Sequence, residues 1–159
     1  MLYTISDSTL VDAPLDRCFL LSTSIDLVAK TLRMRPLSGR LSGLIQPNDQ
    51  LLWHGWKFGL PHRHQTLITA YDRPNHFQDT MGRGSFQHFQ HDHTFIQVAG
   101  QTRLHDTIQF SLPLGWAGAQ VAKHIMVPYI TQLLRRRLQT LKQVAESEEW
   151  RQYLPEPLQ

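Results

Sequence analysis

The stretch from Gly84 to Gly115 constrains the fold more than any other part of the chain. It contains two runs in which apolar and titratable residues occupy every second position, and the dipeptide Ala99-Gly100 separates them. The first run is Phe89, His91, His93 and Phe95, and the second is Leu104, Asp106, Ile108 and Phe110. Alternation of this kind is typical of β-strands, so the stretch is predicted to form a long antiparallel hairpin.

The position of the turn decides which residues of this hairpin oppose each other. If Ala99 and Gly100 are the two loop residues, the pairs on one face are Phe95 with Leu104, His93 with Asp106, His91 with Ile108, and Phe89 with Phe110. A loop one residue longer or shorter would destroy this pairing, and alanine is not an ideal residue for a tight turn. The predicted face surrounds an opposed imidazole and carboxylate with apolar side chains.

The rest of the chain supplies further strands and one long helix. Strand-like patterns cover residues 2–11, 44–45, 51–58, 64–71 and 76–81, whereas residues 36–43 are predicted to be a polar connection. Two short helices are predicted after the first strand, and the apolar spacing from Val121 to Val144 predicts a C-terminal helix of roughly twenty to thirty residues, kinked at Pro128. The expected fold class is α+β, with about seven strands in a curved antiparallel sheet wrapped around the long helix.

A length of 159 residues indicates one domain, which we place at residues 1–147 and follow with an irregular C-terminal tail at residues 148–159. Cys18 is the only cysteine, which excludes an internal disulfide and a multi-thiolate zinc site. The start shows no charged leader, and no segment approaches the ~20 apolar residues of a membrane span. We therefore expect a cytoplasmic monomer or homodimer without an integral membrane segment.

The charge pattern does not favour a nucleic-acid partner. The net charge is only +3, and the basic residues are scattered except for Arg135, Arg136 and Arg137. On a helix these three arginines project in different directions, so at most one or two face the sheet. A solvated helix surface is one interpretation, and a guanidinium that reaches Asp106 or an anionic group of a ligand is the other.

Several segments share their spacing with a known group of proteins. They are Val11-Asp-Ala-Pro14 with Phe19, residues 68–86 (ITAYDRPNHFQDTMGRGSF), residues 91–95 (HDHTF) and residues 102–115 (TRLHDTIQFSLPLG). In these segments the chain resembles the SRPBCC superfamily, the START-like or polyketide-cyclase-like helix-grip fold, and within it the small stand-alone bacterial proteins that are mostly uncharacterised. The resemblance covers nearly the whole chain. It implies a helix-grip fold rather than one function, because the superfamily includes lipid carriers, cyclases and quinone-binding proteins.

His93 and Asp106 are the first candidates for chemistry. A carboxylate opposite an imidazole can fix its tautomer, raise its pKa and make it a general base or a hydrogen-bond donor. The pair would be catalytic only if the protein is an enzyme. The structural alternative is a buried pair that sets the register of the hairpin and contacts no ligand.

The histidines also raise the question of a metal site. The His-x-His spacing of His91 and His93 places two imidazoles on one face of a strand. A third ligand and a carboxylate that orients the imidazoles would still be needed. We therefore expect no metal site, and no cofactor.

The remaining candidates are side chains that could line a ligand pocket. Alternation does not decide between the two tryptophans near residue 55, because Gly55 between them is a candidate bulge. Asp79 is a second candidate buried carboxylate. The full set of candidate ligand contacts is Trp53, Trp56, Phe58, Phe77, Asp79, Met81, Phe89, His91, His93, Phe95, Asp106, Ile108 and Phe110.

Three functions are consistent with these features. The first is binding of an apolar small molecule, such as a lipid, isoprenoid, quinone or polyketide-like compound, between the sheet and the C-terminal helix. This hypothesis requires a void beside Phe89, His91 and Ile108. The second is a cyclase or dehydratase that uses His93 and Asp106 as a general base, which requires both side chains to open into the cavity. The third is a partner-binding module without a working cavity.

Overall fold

A computed structural model describes residues 1–155, which form seven β-strands, two short helices after the first strand and a long C-terminal helix. The strands are β1 (Tyr3–Val11), β2 (Met34–Ser38), β3 (Gln50–Lys57), β4 (Leu60–Asp72), β5 (His76–Met81), β6 (His88–Val98) and β7 (Gln101–Ser111). The helices are α1 (Leu15–Thr23), α2 (Ile25–Leu32), α3 (Gly115–Val121) and α4 (Val127–Glu146), with a π-helical turn (Ala122–Met126) between the last two. The predicted α+β fold class is confirmed.

The strands form one antiparallel sheet in the order β1-β7-β6-β5-β4-β3-β2. The β6–β7 hairpin has the predicted register, with His93 opposite Asp106 and His91 opposite Ile108. Ala99 and Gly100 have positive φ angles of 49° and 85°. Such angles at both loop residues are those of a type I′ turn, whose twist matches that of the flanking strands. Alanine is therefore accepted at the first loop position, and the candidate residues of the hairpin share one face.

The number of strands agrees with the prediction, but one strand lies elsewhere. Residues 44–45 do not form a strand, because Leu44 makes only an isolated bridge to Ser24. The strand that the prediction missed is β2, which overlaps the expected polar connection. Pro36 cannot donate a backbone hydrogen bond, but β2 is an edge strand, where proline is tolerated. The ladder with β3 shifts its register between Pro36 and Ser38.

The C-terminal helix packs against one face of the sheet. Its residues Ile130 and Leu134 join Ile108 and Phe110 of β7 in one apolar cluster. A π-helical turn ends at Met126, two residues before Pro128, and interrupts the α-helical hydrogen-bond pattern close to the position of the predicted kink. Neither this helix nor any other within residues 1–155 is both long and apolar enough to cross a membrane.

The segment after α4 is more ordered than the predicted irregular tail. Residues Glu148–Gln152 form a 3-10 helix, and Leu154 is buried in the apolar cluster beneath α1. The guanidinium of Arg17 lies 4.3 Å from the ring centre of Trp150. These contacts place the segment against the body of the protein, whereas residues 156–159 of the predicted tail lie outside the described residues.

Candidate functional site

A cavity of about 570 Å³ lies between the sheet and the C-terminal helix. Its volume is within the range of roughly 300–1,000 Å³ that is usual for small-molecule sites. The void that the ligand-binding hypothesis requires is present, because Phe89, His91 and Ile108 all line it. Among the sequence candidates, the residues that line the cavity are Trp53, Phe58, Phe77, Asp79, Phe89, His91, His93 and Ile108.

The two tryptophans of β3, Trp53 and Trp56, lie on opposite faces of the sheet. The Trp53 side chain is buried and lines the cavity, whereas Trp56 is 66% exposed and does not. The candidate bulge at Gly55 does not form, because the β3–β4 ladder is regular and the only shift in the β2–β3 ladder lies between Pro36 and Ser38. Plain alternation therefore puts Trp53 and Gly55 inward and Trp56 outward. Gly55 lies against Met34 and the carbonyl of Arg33, which leaves no room for a side chain.

Four other candidates do not line the cavity. Phe95 packs edge-on against Phe19 of α1, at 5.3 Å between ring centroids, and Phe110 stacks on Tyr3. Both rings are buried in the core rather than in the cavity wall. Met81 ends strand β5 and lies against the loop at Gly84. Asp106 lies behind the two histidines. Phe58, in contrast, does line the cavity, but it lies in the β3–β4 turn and is largely exposed at the rim.

The helical side of the cavity wall was absent from the sequence candidates. The apolar stripe of the C-terminal helix could have indicated these residues. The sequence argument used the stripe only to cover the sheet and did not consider it as a cavity wall. Helix α2 and strand β4 also contribute to the wall. The apolar residues from these elements are Val28, Leu32, Ile68, Val121, Met126, Ile130, Leu133 and Leu134.

His93 is the centre of a buried polar cluster in the cavity wall. Its Nδ1 lies 3.2 Å from Oδ1 of Asp106, and its Nε2 lies 2.9 Å from Oδ1 of Asp79. The ring of Phe77 stacks on the imidazole at 4.0 Å between centroids. Only about 3% of the His93 side chain is exposed. Because both ring nitrogens face carboxylates, a protonated His93 can donate a hydrogen bond to each.

His91 lies beside His93 and is held less tightly. The two ring centroids are 3.7 Å apart. Nε2 of His91 lies 3.4 Å from Oδ2 of Asp106, but it has no hydrogen-bond partner within residues 1–155. Its Nδ1 lies 3.9 Å from Oδ1 of Asp79. His91 and Asp79 therefore present the more accessible polar atoms of the cluster to the cavity.

Arg137 is the arginine of the helical triplet that faces the sheet. Its Nε donates a hydrogen bond to Oδ2 of Asp106 at 3.2 Å, and its Nη2 donates one to the carbonyl of Ser22 at 3.4 Å. Arg135 and Arg136 are exposed. The alternative in which one guanidinium reaches Asp106 is therefore the correct one.

Burial and neighbouring charges shift the pKa values of this cluster in opposite directions. Burial alone would lower the pKa of His93, but the charge of Asp106 and hydrogen bonds to both carboxylates outweigh it, so this pKa is raised. Burial and the neighbouring His93 charge lower the pKa of His91. Burial would raise the pKa of each carboxyl, but the histidines outweigh it, so the pKa of Asp79 is lowered and that of Asp106 lies well below its usual value. These shifts favour the protonated form of His93, the neutral form of His91 and the ionised forms of both carboxyl groups.

The positive and negative charges of the cluster balance. When His93 is protonated, the two positive charges of His93 and Arg137 balance the two negative charges of Asp79 and Asp106. Such balance is the condition under which ionised groups persist in an apolar interior. Asp79, His91 and His93 also offer ligand atoms for a metal ion within 4.8 Å of one another.

Solved structures with the same fold include enzymes and a START protein. An aromatase/cyclase from Streptomyces sp. R1128 aligns with a TM-score of 0.74 and 12% identity over 92% of this chain and 94% of its own. A START superfamily protein from Mycobacterium smegmatis gives a TM-score of 0.67 with 13% identity over 88% of this chain and 97% of its own. Norcoclaurine synthase from Thalictrum flavum, in complex with dopamine and hydroxybenzaldehyde, gives 0.67 with 10% identity over 91% of this chain and 86% of its own. No protein-family model and no curated protein matches the sequence.

These similarities define the class to which the structure belongs. The chain has the helix-grip fold of START-like and aromatase/cyclase proteins, with a curved antiparallel sheet, two short helices after β1 and a long C-terminal helix. The expected resemblance to the SRPBCC superfamily is confirmed at the level of the fold. Because the identities are low, the function has to be argued from the cavity itself.

Proposed function

We propose that this protein binds an apolar small molecule in the cavity between the sheet and the C-terminal helix. The observation that carries the proposal is an apolar cavity of about 570 Å³ into which the polar groups of Asp79, His91 and His93 project. Transfer of an apolar ligand from water into such a cavity is favourable by roughly 25 cal/mol per Å² of buried apolar surface. The polar groups fix the orientation of the ligand at one end.

The charge balance of the cluster narrows the class of ligand. Within this cluster, Arg137 and His93 already neutralise the two carboxylates, so the cluster itself offers no unpaired positive charge to a free carboxylate ligand. Among the described residues, the one lysine of the cavity lining, Lys57, donates a hydrogen bond to the carbonyl of Leu32 at 2.9 Å. A carbonyl or hydroxyl group, in contrast, can exchange hydrogen bonds with His91 and Asp79 without adding a buried charge. A quinone, an isoprenoid alcohol or a polyketide-like compound fits this cluster better than a free fatty acid.

The solved structures with this fold support a small-molecule site. One is an aromatase/cyclase, and another is norcoclaurine synthase with dopamine and hydroxybenzaldehyde bound. These two proteins support the view that the helix-grip fold can bind small molecules. For this chain, the support for ligand binding comes from the apolar wall of its own cavity.

An enzyme of the cyclase or dehydratase kind is the second candidate, and one observation favours it. A neutral His91 and a cationic His93 lie side by side in the cavity wall, and paired groups whose pKa values are driven apart can serve as base and acid. The general base would then be His91 rather than the expected pair of His93 and Asp106. Asp106 lies outside the cavity wall, and the raised pKa of His93 makes this residue a weaker candidate for a base than His91, whose pKa is lowered. The cavity weakens the third hypothesis, a module without a working site.

Binding of Nile red, a neutral apolar dye, tests the proposed function. Leu133 lines the cavity from α4, so Leu133→Trp would fill part of it, whereas Gln132→Trp adds the same bulk at an exposed neighbouring position. We expect saturable binding to the wild type and to Gln132→Trp, and binding at least about tenfold weaker to Leu133→Trp. Equal binding by both variants would place the dye outside the cavity and contradict the proposal. For the enzyme candidate, His91→Gln should abolish turnover of a polyketide-like substrate, whereas exchange of the exposed His88 for Gln should not.

A further inference from the structure

Three side chains with metal-binding atoms meet in the cavity wall. Asp79 on β5 lies opposite His91 on β6, and His93 follows two residues later on the same face. Their ligand atoms lie within 4.8 Å of one another. Oδ1 of Asp79 is 2.9 Å from Nε2 of His93 and 3.9 Å from Nδ1 of His91. The sequence predicted no metal site because no third ligand could be identified beside His91 and His93. In the structure, Asp79 offers that third ligand.

Each imidazole has a second ring nitrogen on the side away from Asp79. Both of these nitrogens face the carboxylate of Asp106. Nδ1 of His93 lies 3.2 Å from Oδ1 of Asp106, and Nε2 of His91 lies 3.4 Å from Oδ2 of the same residue. In protein metal sites, a ligating histidine usually donates its other ring N–H to a carboxylate, which fixes the tautomer and the ring orientation. Asp106 occupies this position for both histidines, and Arg137 holds Asp106 in place. The orienting carboxylate missing from the sequence argument is therefore also present.

One ring nitrogen of His91, on the side that faces Asp106, is not held by a hydrogen bond in the described part of the chain. The residue is 8% exposed, and its Nε2 has no hydrogen-bond partner within residues 1–155. A buried polar atom without a partner is destabilising and uncommon in native proteins. A ligand on Nδ1 of His91 would leave the proton on Nε2 and direct it toward Asp106. An ion between Asp79, His91 and His93 would supply that ligand.

We propose that Asp79, His91 and His93 form a binding site for a divalent first-row transition metal ion. The ligand atoms are the Asp79 carboxylate, Nδ1 of His91 and Nε2 of His93. Because only an unprotonated nitrogen binds a metal ion, binding would release the proton that metal-free His93 holds on Nε2. Two imidazoles and one carboxylate suit Zn²⁺ and Fe²⁺, and three protein ligands leave coordination positions open. Asp79, His91 and His93 all line the cavity, so an ion held by them could be reached by the polar group of a molecule in the cavity. The proposal goes beyond apolar ligand binding and does not depend on it.

Titration calorimetry with Zn²⁺ alone tests the site, using the full chain after treatment with a chelator. The wild type should bind one ion per chain, and Co²⁺ in place of Zn²⁺ should give the visible absorption bands of a protein-bound ion. Asp79→Asn and His91→Ala should lose this binding. Asp106→Asn should weaken it by roughly 10–100-fold, because this residue orients the ligands without being one.

His76 and Asp92 provide the matched control. They form a histidine–carboxylate pair 3.1 Å apart on the same two strands, on the outer face of the sheet. His76→Ala should bind Zn²⁺ like the wild type, with circular dichroism confirming that every variant is folded. A folded wild type that takes up no ion would overturn the proposal, as would binding that survives in both Asp79→Asn and His91→Ala. If the protein binds no metal ion, Nile red can still bind in the cavity. The two experiments therefore test the metal site and the apolar ligand site independently.

Discussion

The side chain of Arg137 donates a hydrogen bond from Nε to Oδ2 of Asp106 at 3.2 Å, and this contact joins helix α4 to strand β7 inside the protein. Both residues are buried. Asp106 in turn faces His91 and His93, so the helix that closes the cavity also fixes the polar cluster in its wall. The hydrogen bond therefore links the stability of the helix-grip arrangement to the geometry of the candidate site.

Replacing Arg137 by Met should strongly destabilise the protein. The substitution removes the positive charge from beside a buried carboxylate, and loss of one partner of a buried ion pair costs about 3–5 kcal/mol. Arg136→Met, on the exposed side of the same helix, should change the free energy of unfolding by less than about 0.5 kcal/mol. Urea unfolding measures both. Similar losses for the two variants would show that the contact with Asp106 contributes little.

Trp53 should report ligand binding through its fluorescence. It is the tryptophan of β3 that lines the cavity, with 2% of its surface exposed. Binding of Nile red should quench its emission, and Trp53→Phe should remove most of this quenching. Trp56→Phe is the control, because that ring lies on the outer face of the same strand. If Trp56→Phe removed the quenching instead, the dye would have to bind outside the cavity.

Asp92 should make stability depend on pH in the acid range. Burial favours the neutral form of this carboxyl, but hydrogen bonds from Gln90, Gln78 and His76 outweigh it, so the pKa is lowered. A lowered pKa in the folded state means that the ionised form stabilises the protein above the unfolded pKa of about 3.9, and that this stabilisation is lost as the pH falls through the folded pKa.

Urea unfolding of Asp92→Asn at several pH values measures this effect. The variant should be less stable than the wild type by about 1 kcal/mol at pH 7, and the difference should shrink below about pH 4. Asp26→Asn, at an exposed position, is the control. A difference that stayed constant down to acid pH would mean that ionisation of Asp92 does not stabilise the fold.

The thiol of Cys18 should be unreactive in the folded protein. Burial raises its pKa to about 11, and only the thiolate is nucleophilic. Modification by Ellman's reagent at pH 8 should be slower by more than about 100-fold in the native state than in urea. Because Cys18 is the only cysteine, the unfolded chain is its own control. Rapid modification under native conditions would reveal local opening of α1.

The hairpin was the most predictable part of the molecule. Its two alternating runs meet at Ala99-Gly100, so the pattern and the turn together determined the pairing of His93 with Asp106. Strand β2 escaped prediction because Pro36 and the polar residues around it resemble a loop. Only its position at the edge of the sheet makes that composition compatible with a strand.

The site was less predictable because it depends on contacts between distant parts of the chain. Alternation identified Asp79, His91 and His93 as inward candidates, but it could not show that β5 and β6 bring them together. The choice of Arg137 from three consecutive arginines required the rotation of α4 relative to the sheet. The exposure of Trp56 depended on whether Gly55 forms a bulge, and the regular pairing of Gly55 with both neighbouring strands shows that it does not.

Native mass spectrometry of the protein purified from its own host tests the central claim, that the cavity holds an apolar small molecule. The intact mass should exceed the denatured mass by that of one compound, and the compound should extract into organic solvent. Leu133→Trp, expressed in the same host, should lack this added mass, and Gln132→Trp should retain it. If the wild type carries no compound and also fails to bind Nile red, the cavity is not a site for apolar ligands and the account is wrong.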